Sequence, residues 1–124
     1  MNIRKLEKAV VAALEDIKAR NIEAYDVRHL TSLFDRVVIA SADSARQTKA
    51  LARNVQDKAK EAGGRVYGLE GADGGEWILV DLGDIVVHIM LPAARAHYNL
   101  EELWNQPKPR AKRSPRAAAH AKSR

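Results

Sequence analysis

Apolar residues in the first forty positions follow two patterns, one with a helical period and one typical of buried strands. From Ile3 to Ile17 they recur every three or four positions, which predicts an amphipathic helix over residues 3–20. A short mixed run over 22–27 indicates a strand. The β-branched run over 34–40 is nearly continuous, so it predicts a strand covered on both faces and therefore a central one.

A second helix is predicted over residues 44–62. Ser44 and Gln47 have the spacing of a capping box, in which the serine oxygen accepts from a first-turn amide and the glutamine bonds back to the cap. The apolar positions that follow keep the three-four spacing as far as Ala62. Gly63 and Gly64 then supply the left-handed conformation that ends helices.

Glycine punctuates the next part of the chain, since all seven glycines lie between residues 63 and 83. They separate three apolar runs that predict strands over 65–69, 77–82 and 85–90, with Gly83 in the tight connection of the last pair. Pro92 suits the first turn of a helix, where its missing amide is no loss. Short helices are predicted over 93–98 and 100–104.

This order of elements predicts a mixed α/β (α+β) fold, a five-stranded mixed β-sheet flanked by helices. The second helix is expected to be a crossover that links the second strand to a parallel neighbour. A chain of 124 residues suits one domain with a single hydrophobic core.

Composition excludes several classes of protein. The chain contains no cysteine, so a disulfide scaffold, a thiol nucleophile and cysteine-ligated metal sites are excluded. No apolar run approaches the roughly 20 residues of a membrane-spanning helix. The first residues mix charge into their apolar pattern, which argues against a signal peptide or membrane anchor. A cytoplasmic protein is therefore expected.

The net charge of +5 comes from one end of the chain. Residues 1–105 hold 14 Lys and Arg against 16 Asp and Glu, whereas residues 106–124 hold seven Lys and Arg and no acid. This last segment has three prolines and no large apolar residue, so it is predicted to be a disordered basic tail following a domain at 1–105.

Polar residues interrupt the predicted hairpin at Asp81, Asp84 and His88. They suggest a metal or acid-base centre, but aspartate is also common in turns, where it bonds its own backbone. Alternation places Asp81 on the face of Trp77, while His88 shares a face with Met90. Because convergence depends on the unknown strand pairing, a structural or interface role is the preferred interpretation, with no metal and no cofactor.

Aromatic and basic residues offer further candidates. Trp77 is either a core residue under a helix or an exposed interface anchor, and the sequence leaves both open. Tyr98 and Trp104 are expected to pack within the closing helices. Arg46, Gln47 and Lys49 lie on the exposed face of the second helix, which is either a solvated surface or a contact for protein or RNA.

Several motifs occur in an order that resembles the ribosomal silencing factor (Iojap-like) family over roughly residues 3–104. They are Val37-Val-Ile-Ala-Ser-Ala-Asp-Ser-Ala-Arg46-Gln47, Glu70-Gly, Gly75-Glu-Trp77, Asp81-Leu-Gly-Asp-Ile-Val-Val-His88 and Tyr98-Asn-Leu-Glu-Glu-Leu-Trp104. The family is similar in fold to nucleotidyltransferases, which bind triphosphate and metal through Gly-Ser and Asp-x-Asp motifs. This chain contains neither motif. The resemblance therefore implies a nucleotidyltransferase-like topology that lacks the catalytic motifs. It also implies that the protein is not an enzyme.

The resemblance implies a translation repressor. Family members bind the large ribosomal subunit through ribosomal protein uL14 and block joining of the small subunit when nutrients are scarce. On that basis the expected contact residues are Trp77, Glu70, Asp81, His88, Tyr98, Arg46, Gln47 and Lys49. A homodimer through the same surface or a free strand edge is a further expectation.

Two alternatives remain, a nucleotide-binding protein and a generic RNA-binding module. For the second, affinity should reside in the tail, because the rest of the chain is net acidic and lacks an aromatic platform. The tail cations proposed to contact RNA are Lys108, Arg110, Lys112, Arg113 and Arg116. A solubilising extension without a target explains the same composition equally well.

Overall fold

The computed structural model describes residues 2–104, which form a five-stranded sheet and four helices. In chain order the elements are α1 (Ile3–Asp16), β1 (Arg20–Asp26), β2 (Arg36–Ser41), α2 (Ala45–Glu61), β3 (Gly68–Glu70), β4 (Trp77–Asp81), β5 (Ile85–Met90), α3 (Pro92–Tyr98) and α4 (Leu100–Trp104). The predicted fold class is confirmed. The tail from 106 lies outside the described residues.

The sheet has the strand order β1-β2-β5-β4-β3. Only β2 and β5 run parallel, and the three other pairs are antiparallel, so the sheet is mixed as predicted. β5 occupies the middle, and its six residues are all buried. β2 is internal and almost wholly buried, which confirms the expectation of a strand covered on both faces.

The crossover prediction is wrong in its destination. α2 leads from β2 to β3, which lies at the far edge of the sheet and is separated from β2 by two strands, β5 and β4. The parallel neighbour of β2 is β5, which comes last in the chain. β3 is also shorter than the predicted 65–69, with three paired residues at Gly68–Glu70.

α1 ends at Asp16, four residues before its predicted end. Asn2 caps its start by accepting from the Arg4 amide at 2.8 Å. At the other end Lys18 takes a left-handed conformation with φ 63°, which turns the chain into β1. No glycine or proline marks this turn, so the sequence pattern did not reveal it.

α2 matches its prediction within one residue at each end. Ser44 Oγ accepts from the Gln47 amide at 3.1 Å, as a capping box requires. The glutamine differs from the prediction, because its Oε1 accepts from the Asp43 amide at 2.7 Å, one residue before the cap. Gly63, with φ 95°, follows the helix in the expected left-handed conformation.

The two sheet faces are covered unequally. α1 and α2 cover one face, where a large core includes Leu6, Val10, Leu51, Val55 and the strand residues Ile78, Val80 and Val87. The other face carries a smaller core of Val27, Val37, Ile39 and Met90. Among residues 2–104, only the short α3 and α4 and the loop before β2 pack there, so these residues leave part of this face open. No helix in residues 2–104 is long and apolar enough to cross a membrane.

Candidate functional site

The register of the hairpin brings the candidate residues of β4 and β5 to one face of the sheet. Trp77 lies opposite Met90, and Leu79 lies opposite His88. Side chains of directly opposed residues point to the same side of a sheet, so the β4 row and the β5 row meet. On the edge strand β3, Glu70 pairs with Leu79, so its side chain lies on the same face. This face lies opposite the one covered by α1 and α2.

Trp77 and His88 form a hydrogen-bonded pair at the centre of this face. The indole Nε1–H donates to His88 Nδ1 at 3.0 Å, and the rings lie 5.9 Å apart. His88 is 7% exposed, and burial lowers the pKa of its imidazole to about 4. The ring is therefore neutral at pH 7, with its proton on Nε2. His88 thus fixes the orientation of the tryptophan.

Tyr98 of α3 covers the other side of Trp77. The two ring centroids are 4.6 Å apart at an interplanar angle of 44°, and His97 contacts Tyr98 edge-on at 4.8 Å. Tyr98 is still 53% exposed, and Trp77 is half-buried. Trp77 is therefore neither a plain core residue nor a free anchor, because it is held rigidly while part of it faces solvent.

An open depression of about 620 Å³ lies beside the pair. Leu79 and Val86 form its floor, and its walls come from loops and helices as well as strands. Ten residues line it: Leu33, Phe34, Tyr67, Glu70, Leu79, Asp81, Gly83, Val86, His88 and Trp104. An apolar concavity with a few acidic groups at its border is typical of a binding surface.

Aromatic contacts shape the walls of this depression. Phe34 and Trp104 meet edge-to-face at 5.6 Å, so Trp104 is a packing residue, but its ring partner lies in the loop before β2 and not within the closing helices. Tyr67 stands at the opposite wall, with the Arg65 guanidinium 5.9 Å from its ring centroid. Leu33 is 80% exposed at the border. The apolar surface of the depression therefore extends to exposed side chains at its border, Leu33 and Tyr67.

Asp81, rather than Asp84, is the aspartate that bonds the turn. Its Oδ1 accepts from the Gly83 amide at 2.8 Å, while its backbone carbonyl accepts from the Tyr67 amide. Within residues 2–104, no three His, Cys, Asp or Glu side chains are grouped so that they could hold a metal ion. Asp81 thus serves the turn, and His88 serves the tryptophan.

The basic candidates of α2 lie in the other layer. Arg46 and Lys49 are exposed on the helix that packs against the opposite sheet face, so the structure does not bring them onto the aromatic face. Gln47 is engaged within the chain, because its Nε2 donates to the carbonyls of Ile17 and Lys18 at 2.9 and 3.2 Å. It ties the end of α1 to the start of α2.

Several site residues were missed by the sequence reasoning. Leu79 carried a signal, because alternation puts it on the face of Trp77. No sequence signal marked Leu33, Phe34 and Tyr67, because they lie in irregular segments whose direction depends on tertiary packing. The tail residues Lys108, Arg110, Lys112, Arg113 and Arg116 lie outside the described part of the chain.

The fold and this face define a small α/β domain with a rigid, half-open aromatic surface. Residues 1–124 match the family model described as ribosomal silencing factor during starvation, RsfS. The chain belongs to the ribosomal silencing factor family, which confirms the resemblance seen in its motifs.

Three similar proteins illustrate this membership. Ribosomal silencing factor RsfS of Chromobacterium violaceum is 53% identical over 109 residues, 88% of this chain and 89% of that protein. A crystal structure from the same organism superposes with a TM-score of 0.83 at 51% identity, covering 92% of this chain and 95% of that one. A more distant relative, mouse mitochondrial assembly of ribosomal large subunit protein 1, is 34% identical over 77% of this chain and 43% of its own length.

Proposed function

We propose that this protein binds the large ribosomal subunit through ribosomal protein uL14 and thereby blocks joining of the small subunit, which represses translation when nutrients are limited. Family membership supports the proposal, as do the names of the relatives, one a silencing factor and one a large-subunit assembly protein. The observation that carries it is the rigid aromatic surface around Trp77.

The surface has the properties of an interface centre. Binding energy concentrates in a few aromatic anchors that are already held in place, because fixing a loose side chain costs entropy. Trp77 is held by His88 on one side and Tyr98 on the other. Around it lie the apolar depression and the acids Glu70 and Asp81. A contact of roughly 800 Å² per partner fits on this face.

The proposed mechanism is steric exclusion. A protein that occupies the joining surface of one subunit acts by its presence, so it needs affinity and a suitable position but no turnover. We therefore propose that it is not an enzyme and uses no cofactor. Arg46 and Lys49 would contribute at most from the side, since they belong to the opposite layer.

Gradient sedimentation of purified subunits tests this function. Large and small ribosomal subunits are mixed with and without the protein at the magnesium concentration that supports joining. We expect the protein to migrate with the large subunit and the joined ribosome peak to shrink. Full joining while the protein remains bound to the large subunit would contradict the proposal.

A further inference from the structure

The helices that frame the aromatic face are too short to stand alone. α3 has seven residues and α4 has five, and neither contains a buried residue. Isolated helices of this length are unstable in water, so tertiary contacts must hold them. They nevertheless carry Tyr98, which covers Trp77, and Trp104, which lines the depression.

Arg95 provides such contacts from the middle of α3. Its Nε donates to Glu101 Oε2 of α4 at 2.7 Å. Its Nη1 donates to the Asn21 carbonyl at 2.7 Å and to Ser41 Oγ at 2.9 Å. One side chain thus joins α3 to α4, to β1 and to the end of β2. The Arg95 side chain is only 11% exposed, and its bonds to Glu101 and Ser41 are partly buried.

The acceptors around Arg95 are suited to a guanidinium. Asn21, with φ 51°, lies where the pairing of β1 with β2 is interrupted, and its carbonyl is outside the paired positions. Ser41 is buried, so its hydroxyl needs a partner within the protein. A planar fork with donors in fixed directions serves three acceptors together, which a lysine ammonium on a flexible stem does poorly.

We propose that Arg95 is a positioning residue of the partner-binding surface: it fixes α3 and α4 so that Tyr98 lies over Trp77 and Trp104 lies against Phe34. The inference rests on the proposed function for its effect on binding. Its structural half, the placement of Tyr98, is independent of any partner. Arg95 itself is mostly buried beneath the helices and acts through the aromatic residues.

A double-mutant cycle separates positioning from general stability. Purified uL14 is titrated with the wild type, Arg95→Gln, Tyr98→Ala and the double variant. We expect Arg95→Gln to weaken binding about tenfold in the wild type and less than about threefold when Tyr98 is already absent. Arg95→Lys should restore only part of the affinity. Equal losses in both backgrounds would overturn the inference.

Arg36→Gln is the matched control. Arg36 is another arginine with little exposure, and it pairs with Glu7 and Asp26, away from α3 and α4. Its replacement should lower stability in denaturant while leaving affinity for uL14 unchanged at 25 °C. If Arg36→Gln weakens binding as much as Arg95→Gln does, the effect is general destabilisation and the inference is wrong.

A partner-free measurement keeps the inference testable if uL14 does not bind. Proton NMR contacts between the Tyr98 and Trp77 rings should be lost in Arg95→Gln, while the indole contact to His88 persists. Ring contacts at wild-type intensity would overturn the inference. Loss of binding in Trp77→Ala with full binding in Arg95→Gln would also overturn it and leave the proposed function standing.

Discussion

His88 combines two properties that are usually in conflict, because it is a polar group that is buried and yet supports an exposed surface. Its Nδ1 satisfies the Trp77 indole at 3.0 Å, and this bond needs the neutral ring. Burial favours that neutral form and lowers the pKa to about 4. Folding and the orientation of Trp77 therefore depend on the same protonation state.

Acidification should destabilise the protein through His88. The pKa of an unfolded histidine is about 6.5, so the unfolded chain gains its proton first as pH falls. The free energy of unfolding should then decrease between about pH 6.5 and pH 4, by up to about 1.4 kcal/mol per pH unit. Below that range the contribution is already lost. Urea denaturation at several pH values measures this slope.

His88→Gln is the control for this pH dependence, since it keeps an acceptor near the indole and removes the titration. The difference in unfolding free energy between wild type and variant should change across that range and stay flat above it. Asp26 affects stability only at more acidic pH, because the hydrogen bond from Arg28 holds the pKa of its carboxyl far below the usual range. Parallel curves for the two proteins would contradict the role given to His88.

Trp77→Ala should weaken binding to uL14 by at least about 2 kcal/mol, roughly 30-fold, because a preorganised aromatic anchor is lost. Some stability should be lost as well, since Trp77 is packed against the smaller core. Titration calorimetry at a temperature where the variant is folded separates the two effects. Arg53→Ala, exposed on the opposite layer, should bind normally.

Sequence patterns singled out Trp77 and His88 but did not reveal the hydrogen bond between them. Trp77 and His88 both stood out in an apolar strand pair, yet nothing in their spacing of eleven positions fixes the strand register. One step of register would send a row of side chains to the other face. The pairing, and with it the Trp77–His88 bond, emerges only in three dimensions.

At the scale of elements, the loop between β3 and β4 determines where β4 begins and thereby where Trp77 lies. Gly71 has φ 84°, and a Cβ atom built on it would lie 2.0 Å from the Trp77 carbonyl oxygen. Only glycine allows the backbone to pass this closely. The loop thus returns the chain tightly onto β4 and places Trp77 as its first residue.

Gly71→Ala should destabilise the protein by about 2 kcal/mol or more, because it combines a left-handed conformation with a clash against backbone. Gly74→Ala in the same loop is the control, since a Cβ there meets nothing within 4 Å. Thermal unfolding of both variants checks the difference. Equal melting temperatures would show that the loop moves aside without cost.

Element boundaries were predictable where a local signal exists. The ends of α2 followed from Ser44 and Gly63, whose chemistry acts within one turn. The end of α1 did not, because Lys18 adopts a conformation that its own chemistry does not favour. Tertiary bonds compensate there, including the donation from Gln47 to the Lys18 carbonyl.

For the whole molecule, charge separates the described domain from the segment that follows. The basic segment 106–124 carries seven Lys and Arg and no acid. If it contacts ribosomal RNA, its deletion should reduce affinity for the large subunit and flatten the dependence of affinity on salt, since fewer counterions are released. Binding measured across salt concentrations tests this. An unchanged salt slope would assign the affinity to the remaining domain.

The composition of the sheet was predictable, but its order was not. Five strands followed from five apolar runs, and the nearly continuous β-branched run over 34–40 identified β2 as internal. That β5 separates β2 from β4 depends on long-range pairing, which no local pattern encodes. The prediction that α2 leads to a strand beside β2 was wrong for this reason.

The central place of β5 has a consequence for how the protein is made. Within residues 2–104, the β1–β2 pair and the β3–β4 pair touch in the sheet only through β5, which is synthesised after the other four strands. The sheet of a growing chain is therefore interrupted between β2 and β4 until residues 85–90 have been added, although α2 already links the two strand pairs and packs on β4. Because α3 and α4 come later still, the aromatic face is complete only when residues 92–104 have also been added. A chain that ends before residue 85 should therefore lack both the closed sheet and the complete aromatic face.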